Sequence, residues 1–254
     1  MSDTTPGTWL RRFHPAPDAP AELVCFPHAG GSAAYWFALS RLLTPTVEVA
    51  AVQYPGRQER HREEPLRDLH VLADRIAAAL SPGGRRPRLL LGHSMGASLA
   101  YEVAVRLART SGGAPAAVLV SGRPAPSRHR FGDDRPDDDR ALLARMRALG
   151  GTGTALLDDP ELLGLVLPVL RADHAALAAY RPTAAPLLDC PVVGLTGDRD
   201  SEATPDEVAA WGAHTTGPFA LRTFPGGHFF LSDRFAEAAA EVSALVSGVS
   251  AARA

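Results

Sequence analysis

The sequence predicts an α/β architecture, a mostly parallel central sheet with helices on both faces. Two observations carry the prediction. Short apolar runs without polar alternation recur along the chain, as expected of strands buried on both sides, and helix-patterned segments separate them. The length of 254 residues suits one domain, 1–254, which can bury a sizeable core without disulfides.

The elements follow in order. Glu22 to Phe26 reads as a strand, Tyr35 to Leu43 as a helix, and Val47 to Gln53 as a second strand. Leu66 to Leu80 places Leu69, Leu72, Ala73, Ile76 and Leu80 close to a 3.6-residue period, a helix with one apolar face. Leu89 to Leu91, Ala116 to Ser121, Pro191 to Thr196 and Leu221 to Phe224 complete the strands. A last helix runs from about Asp233 to Val246. In sheets of this kind the site lies at the carboxyl ends of the strands.

One region breaks the alternation. From Arg123 to Pro186 no strand is legible. Arg128 to Arg140 is charged. Arg140 to Leu149 reads as a helix, and Gly150-Gly151-Thr152-Gly153 as a flexible break. Pro160 to Tyr180 is helical, in two pieces if Pro168 marks a join. A helical insertion between two strands of such a sheet, here 123–186, is expected to form a lid or a substrate pocket.

The chemistry is concentrated in Gly92-His93-Ser94-Met95-Gly96. Arg88-Leu89-Leu90-Leu91 precedes it as a strand, and the helix-friendly Ala97 to Val105 follows. Strand, sharp turn and helix around G-x-S-x-G form the nucleophile elbow of the α/β-hydrolase fold. The turn strains the serine backbone, so the flanking residues must be small. It also exposes the hydroxyl at the sheet's carboxyl edge, where the first helical amides point.

A serine hydroxyl is a poor nucleophile at neutral pH and needs a base oriented by a carboxylate. In this fold the chain order is serine, acid, histidine. His214 and His228 qualify as the base by position. His228 directly follows the last strand, where Gly226-Gly227 permits a turn carrying the imidazole over the sheet edge, and is preferred. Asp198 and Asp200 both follow the preceding strand. Asp198 is placed to cap the loop, whereas Asp200 lies further out and can reach back toward His228, which makes it the preferred acid. His93 occupies the variable position of the elbow. His14, His61, His70 and His129 read as surface residues, and His174 as a packed or solvated helix residue. One oxyanion amide is expected from Met95, and the other from the loop Phe26-Pro27-His28-Ala29-Gly30-Gly31-Ser32.

Composition excludes several classes. A net charge of −2 supplies no field for nucleic acid or an anionic membrane. Met1 to Pro15 lacks the apolar core of a signal peptide, and no apolar run reads as long enough to span a bilayer, so a cytoplasmic location is expected. Cys25 and Cys190 sit in apolar strand-like runs and read as buried free thiols. No spacing supports a metal site, and no cofactor is expected.

Pro27-His28-Ala29-Gly30-Gly31-Ser32, Tyr54-Pro55-Gly56-Arg57, Gly92-His93-Ser94-Met95-Gly96, Leu170-Arg171-Ala172-Asp173 and Gly226-Gly227-His228-Phe229 together resemble the type II thioesterases. These are the free-standing editing enzymes of polyketide and nonribosomal peptide synthesis. The resemblance runs from about Leu23 to Phe235. It implies hydrolysis of acyl groups from the phosphopantetheine arm of acyl or peptidyl carrier proteins. By position it makes Ser94 the nucleophile, His228 the base, Asp200 the orienting acid, and Ala29 and Met95 the oxyanion donors. It assigns no catalytic role to Tyr54-Pro55-Gly56-Arg57, which reads as a structural turn.

Arg123, Arg128 and Arg130 lie where the insertion begins and could meet an acidic carrier surface, though Asp133, Asp134 and Asp137 to Asp139 nearby fit an ordinary solvated loop. A general carboxylesterase or an acyltransferase would use the same three residues. A silent binding protein on a hydrolase scaffold is the non-enzymatic alternative.

Overall fold

The computed structural model describes residues 9–80, 86–110, 113–130, 138–150, 159–183 and 187–251. Among the described residues seven strands form one sheet: β1 (Leu10–Arg11), β2 (Glu22–Phe26), β3 (Glu48–Val52), β4 (Arg88–His93), β5 (Ala117–Ser121), β6 (Val192–Gly197) and β7 (Phe219–Phe224). Their spatial order is β1-β3-β2-β4-β5-β6-β7. All neighbours pair in parallel except β1, which runs antiparallel to β3. The six anticipated strands are present with small changes at their ends. The two-residue β1 was not anticipated, because a pair of residues carries no periodicity.

Seven α-helices are described: α1 (Phe37–Leu43), α2 (Leu69–Ala79), α3 (Met95–Ala108), α4 (Asp139–Leu149), α5 (Pro160–Ala179), α6 (Pro205–Ala209) and α7 (Phe235–Ala251). The first turn of the expected Tyr35 to Leu43 helix is a 3-10 segment, Ala33–Trp36. Asp68 caps α2, accepting from His70 N–H at 2.7 Å and Val71 N–H at 3.2 Å. The short α6 was not anticipated; Thr204 and Glu207 close a capping box at its start.

Alternate strand residues divide into two cores. Val24, Phe26, Leu90, Val118 and Val120 face α2 and α3. Leu23, Cys25, Leu89, Leu91 and Leu119 face α1 and α7. Period-two burial was hidden in the sequence because both faces are apolar. β4 sits near the centre of the sheet, paired with β2 and β5 along its length. That placement delivers the residue after β4 to the middle of the sheet's carboxyl edge.

Between β5 and β6 the described residues form α4, α5 and a short 3-10 turn, Pro126–Arg128. Gly150 ends α4 at a φ of +73°; positions 151–153 of the expected break, and Asp133, Asp134 and Asp137, lie outside the described residues. The expected join at Pro168 is absent, since α5 is one continuous helix with Pro168 inside it. Proline removes only one helical donor there, and buried Val169, Leu170, Ala172, Ala176 and Leu177 hold the helix by packing.

Residues Glu161–Ala179 of α5 are, by length and a mean hydropathy of 1.5, apolar enough to cross a membrane, contrary to the sequence reading. The apolarity has another use here. The helix lays Leu170 against Leu142 of α4 and carries Ala176 and Leu177 into the main core. Its C-terminal end is tied to α3 through Glu102. That buried carboxylate accepts from Tyr180 Oη at 2.9 Å, Thr183 N–H at 2.9 Å, Thr183 Oγ1 at 2.6 Å and Arg106 Nη1 at 2.7 Å. Burial alone would raise the pKa of Glu102, but these donors outweigh it and hold the group below its ordinary value.

Candidate active site

Ser94 links β4 to α3 with φ 54° and ψ −119°, a conformation that L residues rarely adopt. The flanking glycines make that turn possible. A Cβ at Gly92 would lie 2.0 Å from Gly96 O, and a Cβ at Gly96 would lie 2.0 Å from Phe26 O. Ser94 occupies the N-cap position of α3 but makes no side-chain capping bond. Its Oγ instead lies 3.0 Å from His228 Nε2.

His228 follows β7 on a loop turned at Gly226, where φ is +146°. Its Nδ1 lies 3.0 Å from Asp200 Oδ1 and 3.1 Å from Oδ2. A carboxylate only accepts, so Nδ1 carries the proton and Nε2 is left to accept from the Ser94 hydroxyl. Asp200 is wholly buried and further fixed by Glu202 N–H at 2.8 Å and Ala203 N–H at 3.3 Å, both donating to Oδ1. The three residues come from the ends of β4, β6 and β7.

The competing residues lie elsewhere. Asp198 is half-exposed and accepts from Gly226 N–H at 2.8 Å, so it anchors the loop carrying His228 without touching the imidazole. His214 packs against Trp211, with Nε2 3.0 Å from Ser127 Oγ. His61 is exposed, and His14, His70 and His129 are half-buried. His174 is buried on α5 and borders the same cavity as Ser94.

Met95 N–H opens α3 and has no intrahelical acceptor. The Ala29 amide takes no acceptor among the described residues. The other half of its peptide is held, because His28 C=O accepts from Gly31 N–H at 2.9 Å. In a trans peptide the pinned carbonyl aims the N–H the opposite way. A cavity of about 30 Å³ lies among Ala29, Ser94, His228, Met146 and Leu177. That is room for about one water and not for an acyl chain. α4 and α5 thus cover the serine.

Two histidines that the sequence reading passed over surround the base. His93, treated as a variable position, is fully buried, with its ring 5.1 Å from that of His228 and Nδ1 3.0 Å from Ser121 Oγ. His28 packs 6.1 Å from His93 and 4.9 Å from Phe229. Burial, reinforced by the charges of His228 and Arg57, lowers the His28 pKa to about 3. Burial likewise holds His93 well below its ordinary value, with His228 and His28 adding to it. Both rings therefore form a neutral wall. In the sequence the loop from Phe26 to Ser32 stands out for its glycines, and nothing local marks His28 as a neighbour of a histidine two hundred positions away.

Cys25 and Cys190 are free and buried. Burial pushes the Cys190 thiol up to about 11 and raises Cys25 well above its ordinary value, so neither is poised as a thiolate. Among the described residues no cluster of three histidine, cysteine or acidic side chains could hold a metal. Of the three arginines where the insertion begins, Arg130 is engaged by Glu207, to which its Nε donates at 2.9 Å.

Comparison with known proteins agrees with this geometry. The model of the thioesterase domain family matches residues 21–245. The chain is 48% identical over 241 residues to thioesterase PikA5 of Streptomyces venezuelae, covering 93% of this chain and 85% of that one. It is 46% identical to a probable cadicidin biosynthesis thioesterase of Streptomyces griseus, covering 91% of this chain and 64% of the relative. Among solved structures it resembles the type II thioesterase BorB from the borrelidin biosynthetic cluster. The TM-score is 0.87 at 43% identity, over 97% of this chain and 99% of that one. With its seven-stranded sheet and its elbow serine, the chain belongs to the thioesterase family, as a type II member with an α/β-hydrolase fold.

Proposed function

We propose that this protein hydrolyses acyl groups from the phosphopantetheine arm of carrier proteins in polyketide or nonribosomal peptide synthesis, with Ser94 as nucleophile, His228 as base and Asp200 as its orienting acid. The observation that carries the proposal is the continuous hydrogen-bonded line from Ser94 Oγ to His228 Nε2, and from Nδ1 to Asp200, at 3.0 Å each. Its relatives include a probable cadicidin biosynthesis thioesterase and the type II thioesterase of the borrelidin biosynthetic cluster, which supports the substrate class.

The steps follow from the geometry. His228 Nε2 takes the Ser94 proton as Oγ bonds to the thioester carbonyl carbon. The carbonyl oxygen becomes an oxyanion and accepts from Ala29 and Met95 N–H. Collapse breaks the carbon–sulfur bond, and the pantetheine sulfur takes the proton back from His228. A thiolate leaves readily, so this protonation matters less than it would for an amine. Water then gives a proton to His228 and its oxygen attacks the acyl-serine carbonyl. The acid departs, and Ser94 Oγ recovers the proton. Asp200 stabilises the imidazolium in both halves.

In this reading the chain acts as one catalytic unit, residues 123–186 form a lid that must move to admit an acyl chain, and the enzyme works in the cytoplasm without a cofactor. The test is a matched pair of substrates, one acyl chain presented as a carrier-bound thioester and as a simple oxygen ester. The proposal expects kcat/KM to favour the carrier thioester by at least about a hundredfold, the scale of good specific recognition. Equal rates would identify a general esterase, and transfer of the acyl group to an alcohol in preference to water would identify an acyltransferase.

A further inference from the structure

Tyr54-Pro55-Gly56-Arg57 and Leu170-Arg171-Ala172-Asp173 lie far apart in sequence, and the proposed mechanism uses neither. They meet beneath the loop that carries Ala29. Asp173, on α5, is 1% exposed, and Arg57, after β3, is 6% exposed. Arg57 Nη2 donates to Asp173 Oδ2. The same oxygen accepts from Gly30 N–H at 2.7 Å.

The surrounding bonds fix the loop at three places. Tyr54 Oη donates to Pro27 C=O at 3.1 Å, with the Arg57 guanidinium over the Tyr54 ring at 5.0 Å. Gln53 Oε1 accepts from Ala33 N–H at 2.8 Å, while Gln53 Nε2 donates to Arg57 C=O at 3.0 Å. Asp173 holds Gly30 between these two. A Cβ at Gly30, where φ is +75°, would lie 2.5 Å from Leu170 Cδ2, so α5 presses on the loop one turn before Asp173.

The peptides on either side of the Ala29 amide, 27–28 and 29–30, are therefore each tied to a neighbour, while the Ala29 N–H is left unpaired among the described residues. The guanidinium and the backbone N–H converge on one buried oxygen, and a charge-assisted hydrogen bond holds its geometry more firmly than a neutral one.

We infer that Arg57 and Asp173 are positioning residues for the oxyanion site: they hold Gly30 and thereby aim the Ala29 amide. Because Asp173 belongs to α5, the same pair makes the aim of that amide depend on the covering helix being seated. The inference rests on the proposed roles of Ser94 and Ala29.

The test measures affinity for a trifluoromethyl ketone analogue of the acyl group, which forms a tetrahedral adduct with serine, beside kcat and KM for a small acyl thioester. Arg57→Ala and Asp173→Ala are expected to lower kcat about tenfold to a hundredfold, a misaimed donor costing somewhat less than a deleted one. KM should stay within about threefold, since the ground-state carbonyl gains little from the oxyanion donors. Analogue affinity should fall by the same factor as kcat, and the pH midpoint of kcat/KM should not move, because His228 and Asp200 are untouched.

If the alanine variants do not fold, the double variant Arg57→Met/Asp173→Leu decides, since it keeps the buried bulk, leaves no unpaired charge and removes the acceptor for Gly30. A loss of kcat matched by analogue affinity supports the inference. Parental kcat, or a loss of kcat with unchanged analogue affinity, overturns it. Analogue binding is read without turnover. A parent protein that binds the analogue but hydrolyses no acyl thioester would count against the proposed activity and not against this pair.

Discussion

Asp198 and Asp200 stand two residues apart at the end of β6 but face different partners: Asp200 meets His228 Nδ1 at 3.0 Å, and Asp198 meets Gly226 N–H at 2.8 Å. One carboxylate orients the base, and the other holds the loop on which the base rides. Asp200→Asn replaces one carboxylate oxygen with a donor and favours the wrong tautomer of His228. It should lower kcat by about a thousandfold to ten-thousandfold while the fold survives. Asp198→Asn keeps an acceptor for Gly226 and should cost less than about tenfold. Steady-state kinetics on a small acyl thioester reads both, and a larger loss in the Asp198 variant would reverse the assignment.

The elbow depends on two glycines. A methyl group at Gly96 would sit 2.0 Å from Phe26 O, and neither β2 nor α3 can retreat without unpacking the sheet. Gly96→Ala should destabilise the protein by about 3 kcal/mol or more. Exposed Gly248, on α7, has no atom near the position of a Cβ. Gly248→Ala should raise stability by about 0.5–1 kcal/mol through helix propensity alone. Chemical denaturation measures both changes. Similar effects at the two sites would refute this reading of the elbow.

The neutral histidine wall has a consequence for acid stability. Unfolded histidine takes up a proton near pH 6.5, whereas buried His28 does so only at about 3, and His93 is depressed well below its ordinary value. The unfolded chain therefore binds more protons below about pH 6.5. The contribution of these rings is complete above that pH and is lost as pH falls toward the native values. The His28 ring adds a slope of about 1.4 kcal/mol per pH unit across that window. His28→Gln should make the fall in unfolding free energy between pH 6 and 4 shallower by about that amount. An unchanged slope would mean that the native ring is protonated in this range.

The elbow was legible because everything it needs is local: a strand, two glycines, a serine and a helix within twenty residues. Asp200 and His228 were legible because the fold fixes which strand ends can reach the serine. Sequence distance hid the rest. Arg57 and Asp173 are 116 positions apart, and each alone looks like a surface charge. His93 looked free to vary because motif spacing says nothing about which way a strand's last side chain points. Pro168 leaves one helix or two open in the sequence because local propensity is all that one residue reveals, whereas tertiary packing carries α5 through it.

The attack of Ser94 on an acyl-carrier thioester is tested most directly by rapid quenching and mass spectrometry of the Ser94-containing peptide, beside the turnover of Ser94→Ala. The account predicts an acyl mass increment on Ser94 in the parent, and at least about a thousandfold loss of hydrolysis in the folded variant. An acyl group found on a different residue, or parental turnover in Ser94→Ala, would contradict it.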